Sequence, residues 1–166
     1  MSSIQRLFSL PVHPVPGRET ERYALRVDRL VKAPLVLGLD DLLALPQVSL
    51  RDDFACLEGW VVPELDWRGV RLGTVLNLAG PLPGTAWVQA SFGEFSIPLS
   101  IERAADSLLA LTLNGEPLPV EHGAPVRLLV PGGECFTSVK WLDHLELRAE
   151  PAPNRAKEIA LKRIGR

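Results

Sequence analysis

Trp87-Val88-Gln89-Ala90-Ser91-Phe92-Gly93-Glu94-Phe95-Ser96-Ile97-Pro98-Leu99 is the stretch that decides the fold class. Its two apolar-rich runs, Trp87–Phe92 and Glu94–Leu99, read as a pair of strands turning back on each other across Gly93. The same pattern of short runs between turn residues continues outward. Downstream, Leu108–Leu113 is a strand closed by the turn Asn114-Gly115-Glu116-Pro117, Val126–Val130 is another apolar strand, and Lys140–Arg148 alternates. Upstream, Tyr23–Val27 alternates and Val48–Cys56 reads as a strand. Three short helices interrupt them. Asp40–Leu45 starts with acids suited to a positive helix N-terminus and is stopped by Pro46. Leu72–Ala79 follows a predicted turn at Trp67-Arg68-Gly69 and ends at Gly80-Pro81, and Ile101–Ala105 makes one further helical turn. The expected class is α+β, mostly β with a few short helices.

A chain of 166 residues suits one domain. The 13 glycines and 15 prolines are dispersed, so they punctuate strands and turns rather than mark disorder. Residues 1–22, with Pro11, Pro14, Pro16 and Gly17, are expected to form an extended arm, residues 23–150 the body, and residues 151–166 a basic tail. That tail carries Arg155, Lys157, Lys162, Arg163 and Arg166 against Glu158 and reads as a solvated end, with an amphipathic helix as the alternative. A net charge of −2 gives no general case for nucleic-acid binding. No charged n-region with an apolar core, no twin arginine and no bilayer-length apolar run is visible, which predicts a cytoplasmic chain without a membrane span.

Two cysteines, Cys56 and Cys135, are too few for a disulfide framework. A lone cysteine is commonly a small buried apolar filler. Cys56, however, sits in Asp53-Phe54-Ala55-Cys56-Leu57-Glu58-Gly59-Trp60, where a nearby glycine lets a bulky group approach the backbone. A thiolate is also the softest protein ligand, suited to transition metals with open positions. No second cysteine or histidine stands at zinc spacing. Far along the chain, His122-Gly123-Ala124-Pro125-Val126-Arg127 reads as a turn entering a strand, or as half of an anion site. Arg127 can fork onto phosphate oxygens while Lys140 adds a point charge. Neither a dinucleotide Gly-x-Gly-x-x-Gly nor a Gly-x-Ser-x-Gly elbow is present. His13 and His144 show no companions at ligand spacing in the sequence.

Six pieces stand in one order: Cys56-Leu57-Glu58-Gly59-Trp60, Trp67-Arg68-Gly69-Val70, Leu108-Leu109-Ala110, Asn114-Gly115-Glu116-Pro117-Leu118, His122-Gly123-Ala124-Pro125-Val126-Arg127 and Ser138-Val139-Lys140-Trp141. Together, over about Leu25 to Leu147, they resemble the sulfite-oxidase-type, molybdopterin-dependent oxidoreductase domain. The resemblance implies a mostly β molybdopterin-binding fold and a molybdenum ion held by a pterin dithiolene. By it, Cys56 is the metal ligand and the catalytic position. Arg127 stands near the pterin phosphate, Ser138 and Lys140 lie along the pterin, and His122 and Asn114 belong to the cofactor pocket. It further implies two-electron redox chemistry or oxygen-atom transfer on a small-molecule substrate, with a redox partner protein resetting the metal. Two features depart from the family pattern: the arm Leu7-Phe8-Ser9-Leu10-Pro11-Val12-His13-Pro14, and Glu134-Cys135 ahead of Ser138. They motivate an alternative, a non-catalytic binding module that keeps the fold and has lost the cofactor or its turnover. A basic tail that docks a redox partner is a third reading.

Overall fold

A computed structural model describes residues 5–6, 23–55, 60–132 and 138–163, with backbone alone at 5–6, 52–55, 60–64 and 163. In chain order the elements are β1 Gln5–Arg6, β2 Leu25–Arg29, β3 Leu35–Leu37, α1 Leu39–Leu43, β4 Gln47–Ala55, β5 Trp60–Arg71, α2 Leu72–Ala79, β6 Trp87–Phe92, β7 Phe95–Ser100, α3 Ile101–Ala105, β8 Leu108–Leu113, β9 Glu116–Pro117, β10 Arg127–Leu129, β11 His144–Arg148 and α4 Arg155–Arg163. They build two sheets. The first runs β1-β5-β8-β10, with β4 also on β5 and β9 on β8. The second runs β3-β2-β11-β6-β7. Among the described residues the fold is mostly β with four short α-helices, the class that the sequence predicts.

The hairpin across Gly93 forms in register, from Trp87 opposite Ser100 to Phe92 opposite Phe95. Period-2 alternation then assigns faces. Val88 and Ala90 of β6 and Leu145 and Leu147 of β11 enter the larger core, where they meet Leu109, Leu111 and Leu128 of the first sheet. The opposite face of the first sheet supports a smaller cluster of Leu65, Trp67, Leu108, Ala110, Leu118, Ala124 and Leu129. β8 is therefore apolar on both faces, as a strand sandwiched between two clusters must be.

Trp67-Arg68-Gly69 is not the predicted turn. It lies inside the twelve-residue β5, at a register shift against β8 between Arg68 and Gly69. Gly69 is there for close approach: a Cβ on it would stand 1.9 Å from the carbonyl oxygen of Leu109. A glycine that reads as a turn thus marks a bulge in a central strand. Lys140–Arg148 is likewise only partly strand, since β11 begins at His144. The C-terminal segment is not the expected solvated end, because α4 packs on β7 and Ala156 is fully buried. Most of the arm predicted at residues 1–22 lies outside the described residues, apart from β1, which pairs parallel with β5.

Candidate functional site

The smaller cluster carries a polar rim built from two loops. The first descends from β9 through Pro119 and a one-turn 3-10 helix, Val120–His122, capped by Gly123 at φ +114°. It enters β10 at Arg127 after a cis Ala124–Pro125 peptide. The second loop is 138–143, ahead of β11. Backbone and side-chain bonds tie the two together. Leu128 N–H donates to the Val139 carbonyl, Trp141 N–H to that of Gly123, and the Trp141 indole N–H to that of Val120 at 2.7 Å.

Arg127 lies at the centre. Alternation along β10 sends Leu128 into the larger core and Arg127 to the opposite face, where the side chain is only 3% exposed. Its Nε donates to Ser138 Oγ at 2.6 Å and its Nη1 to the His122 carbonyl at 3.1 Å. The guanidinium carbon sits 5.3 Å from the centre of the Trp67 ring, a cation–π contact worth about 2 kcal/mol when desolvated. Burial lowers the Arg127 pKa to about 9, which still leaves it protonated at neutral pH.

Lys140 is half-buried beside it. Its Nζ donates to the Glu121 carbonyl at 3.1 Å and stands 5.7 Å from the centre of the Trp141 ring. Gly123 separates the two cations. A Cβ there would meet Arg127 Cβ, Lys140 Cα and Lys140 Cβ, each at 3.2 Å. His122 completes the group. Its pKa is lowered by burial first, then by the charges of Lys140 and Arg127, against a smaller opposing pull from Glu121. It is therefore held neutral, and its sealed Nδ1 finds no hydrogen-bond partner among the described residues. Two cations and a buried polar nitrogen seeking a partner suit an anionic oxygen-bearing group such as a phosphate.

Of the sequence-predicted residues, His122, Arg127, Ser138 and Lys140 come together. Asn114 is engaged elsewhere. It occupies the exposed β8–β9 turn at φ +52°, followed by Gly115 at +83°, the two-positive-φ pattern of a tight hairpin. Its Oδ1 accepts from Asp66 N–H at 2.9 Å. Cys56 follows β4 in sequence and, with Cys135 and Glu134, lies outside the described residues. Sequence reasoning missed the role of Trp67 as the floor under Arg127. The available signal was its two-residue offset from Leu65, which puts both on one face of a strand.

Comparison with known proteins places this geometry. Residues 12–156 match the family model described as oxidoreductase molybdopterin binding domain. An oxidoreductase of Bacillus subtilis (strain 168), YuiH, itself uncharacterized, is 33% identical over 135 residues, covering 80% of this chain and 68% of YuiH. Human mitochondrial sulfite oxidase is 33% identical over 172 aligned positions, covering 82% of this chain but only 31% of that protein. In three dimensions, the sulfane dehydrogenase SoxCD of Paracoccus pantotrophus superposes with a TM-score of 0.77 at 27% identity, over 83% of this chain and 41% of that one. The fold, the clustered cations and the match over residues 12–156 agree: this chain belongs to the oxidoreductase molybdopterin-binding domain family, whose cofactor is molybdenum held by molybdopterin.

Proposed function

We propose that this chain catalyses two-electron oxidation or reduction, with oxygen-atom transfer, of a small-molecule substrate, and that a separate redox protein restores the starting state. Cys56 is assigned as the metal ligand. Arg127 and Lys140 are assigned to the phosphate end of the pterin, His122 Nδ1 to one of its polar atoms, and Ser138 to hold the Arg127 fork in place. Asn114 shapes the neighbouring turn. When bound, the molybdenum supplies the two-electron chemistry.

The residues of the chain do the rest. Arg127 and Lys140 bring a positive field to a region from which burial excludes water, so an anion there is held more strongly than on an open surface. Neutral His122 offers Nδ1 as donor or acceptor according to its tautomer without adding a third charge to the pair. Trp67 keeps the guanidinium plane from swinging, and the Ser138 hydroxyl fixes its angle. The observation that carries this reading is the packing of the Arg127 and Lys140 stems against Gly123, next in the chain to His122, whose Nδ1 is sealed without a partner among the described residues. Among the described residues, no helix is long and apolar enough to cross a membrane.

The test is the pterin content of Arg127→Met made in a host that synthesises the cofactor. Methionine fills much of the buried volume without the charge, so folding is expected to survive. The variant should lose most of its pterin, and Arg127→Lys should retain an intermediate amount. Full pterin occupancy in well-folded Arg127→Met would reject the assignment and favour a non-catalytic module that binds something else.

A further inference from the structure

Loop 138–143 breaks the alternation that a strand beside β10 would follow. Leu128 N–H donates to the Val139 carbonyl at 2.9 Å, and Leu142 N–H to the Val126 carbonyl at 3.0 Å. Between these two bonds one segment contributes Arg127 alone, while the other contributes Lys140 and Trp141. Two residues against one is the pattern of a β-bulge, a device that re-aims side chains beside functional sites. The burial agrees. Val139 and Leu142, three apart rather than two, both enter the larger core. Lys140 and Trp141, although consecutive, both turn to the 3-10 helix at Val120–His122.

The backbone at Trp141 makes this possible. Its φ is +55°, a region that bulky side chains rarely enter and that glycine enters freely. Strain of this kind persists only where the surroundings over-determine it. Trp141 N–H donates to the Gly123 carbonyl at 3.1 Å, and the indole N–H to the Val120 carbonyl at 2.7 Å. The ring packs tilted against Phe92, with centroids 5.8 Å apart, and Lys140 Nζ stands 5.7 Å from its centre. The last carbonyls of a helical turn have no partner inside it. Here Trp141 takes those of Val120 and Gly123, Lys140 that of Glu121 and Arg127 that of His122.

We propose that Trp141 is a positioning residue for the pterin site, acting through Lys140. In an unbulged strand Lys140 and Trp141 would face opposite sides, and either could reach the 3-10 helix only by sending the other into the core. The positive φ puts both on the side of Arg127. The indole bond then ties the loop to the same turn whose Glu121 carbonyl holds the ammonium. A lysine gives up much rotamer freedom when it is fixed on an anion, and ordering it beforehand spares that loss at binding. Tryptophan suits the task twice over, since its face attracts a cation best and its N–H supplies the anchoring bond. The role rests on the assignment of Arg127 and Lys140 to the pterin phosphate.

The test is the rate at which purified holo-protein, from a host that makes the cofactor, releases its pterin. Trp141→Phe keeps a ring and loses the indole N–H, and should release pterin about fivefold faster. Trp141→Gly takes φ +55° without strain, keeps no ring and should release it faster still. Lys140→Met should itself hasten release. In that background Trp141→Phe should add less than about twofold, because the residue it positions is gone. A tryptophan that only packs would add the same factor with or without Lys140. Release at the wild-type rate in both Trp141 variants, or an undiminished effect without Lys140, would overturn the positioning role and leave the pterin assignment standing. Full pterin retention in both Arg127→Met and Lys140→Met would overturn that assignment and this role with it. If Trp141→Phe fails to fold, Trp141→Gly, alone and paired with Lys140→Met, carries the same comparison.

Discussion

Replacing Gly123 by alanine tests the cradle at its tightest point. Gly123 has φ +114° and ψ 9°, beyond the left-handed region that other residues tolerate best. That backbone alone costs an alanine about 1–3 kcal/mol. The added methyl would also sit 3.2 Å from Arg127 Cβ, Lys140 Cα and Lys140 Cβ, inside the optimal carbon–carbon separation of about 3.5–4.0 Å. One of the three contacts is backbone, so the loops must part by a few tenths of an ångström. Gly→Ala also stiffens the unfolded chain, which returns roughly 0.4–1 kcal/mol. The net expected loss is about 2 kcal/mol, or roughly 4–8 °C in Tm for a chain of this size. Differential scanning calorimetry of the cofactor-free chain reads the stability term, and pterin content of protein from a cofactor-making host reads the site term. Both should fall, because the methyl pushes apart the two cations that the glycine allows to approach. A Gly123→Ala protein with Tm within about 1 °C of wild type and full pterin content would show that neither the strain nor the crowding exists.

Gly69→Ala should be more damaging. Its Cβ would lie 1.9 Å from a backbone oxygen that cannot swing aside, so β5 and β8 must separate, at about 3 kcal/mol or more. Soluble protein with near-native Tm would contradict the close-approach account of that bulge. His122 supplies a pH dependence. Its folded pKa lies below the unfolded value, so between the two the unfolded chain binds more protons and stability rises with pH. Wild type should therefore lose stability as pH falls from about 6.5 toward the folded pKa, and His122→Gln should lose less over that range. Chemical denaturation at stepped pH compares the two slopes, and identical slopes would show that His122 is not held neutral.

Much of this molecule is legible in its sequence because its strands obey period 2. The hairpin across Gly93, the strand at Leu108–Leu113 and the helix at Leu72–Ala79 follow from local pattern. The failures have physical causes. Gly69 reads as a turn because the sequence shows a missing side chain but not the carbonyl of Leu109, some forty residues on in the chain, that needs the space. The basic tail reads as solvated because, among the described residues, it buries Ala156 and packs Ala160 on the core, too small an apolar face to stand out among the charges. In the site, Arg127 and Lys140 are suggested by chemistry and joined by the family resemblance. Their spacing around Gly123 belongs to tertiary structure alone. Asn114 shows the converse: Asn-Gly is a strong hairpin signal in its own right, and the side chain is occupied by Asp66 N–H. His144 looks solitary in the sequence because one of its companions, Asp28, arrives from a strand 116 residues away.

In the proposed centre, Cys56 ligates molybdenum and the cations around Gly123 grip the pterin. Molybdenum X-ray absorption on wild type and Cys56→Ser, both from a host that makes the cofactor, tests this arrangement most directly. Wild type should hold stoichiometric molybdenum, and whatever metal the variant retains should lose one sulfur from its coordination shell. Wild type without molybdenum, or Cys56→Ser with full metal and an unchanged spectrum, would contradict it.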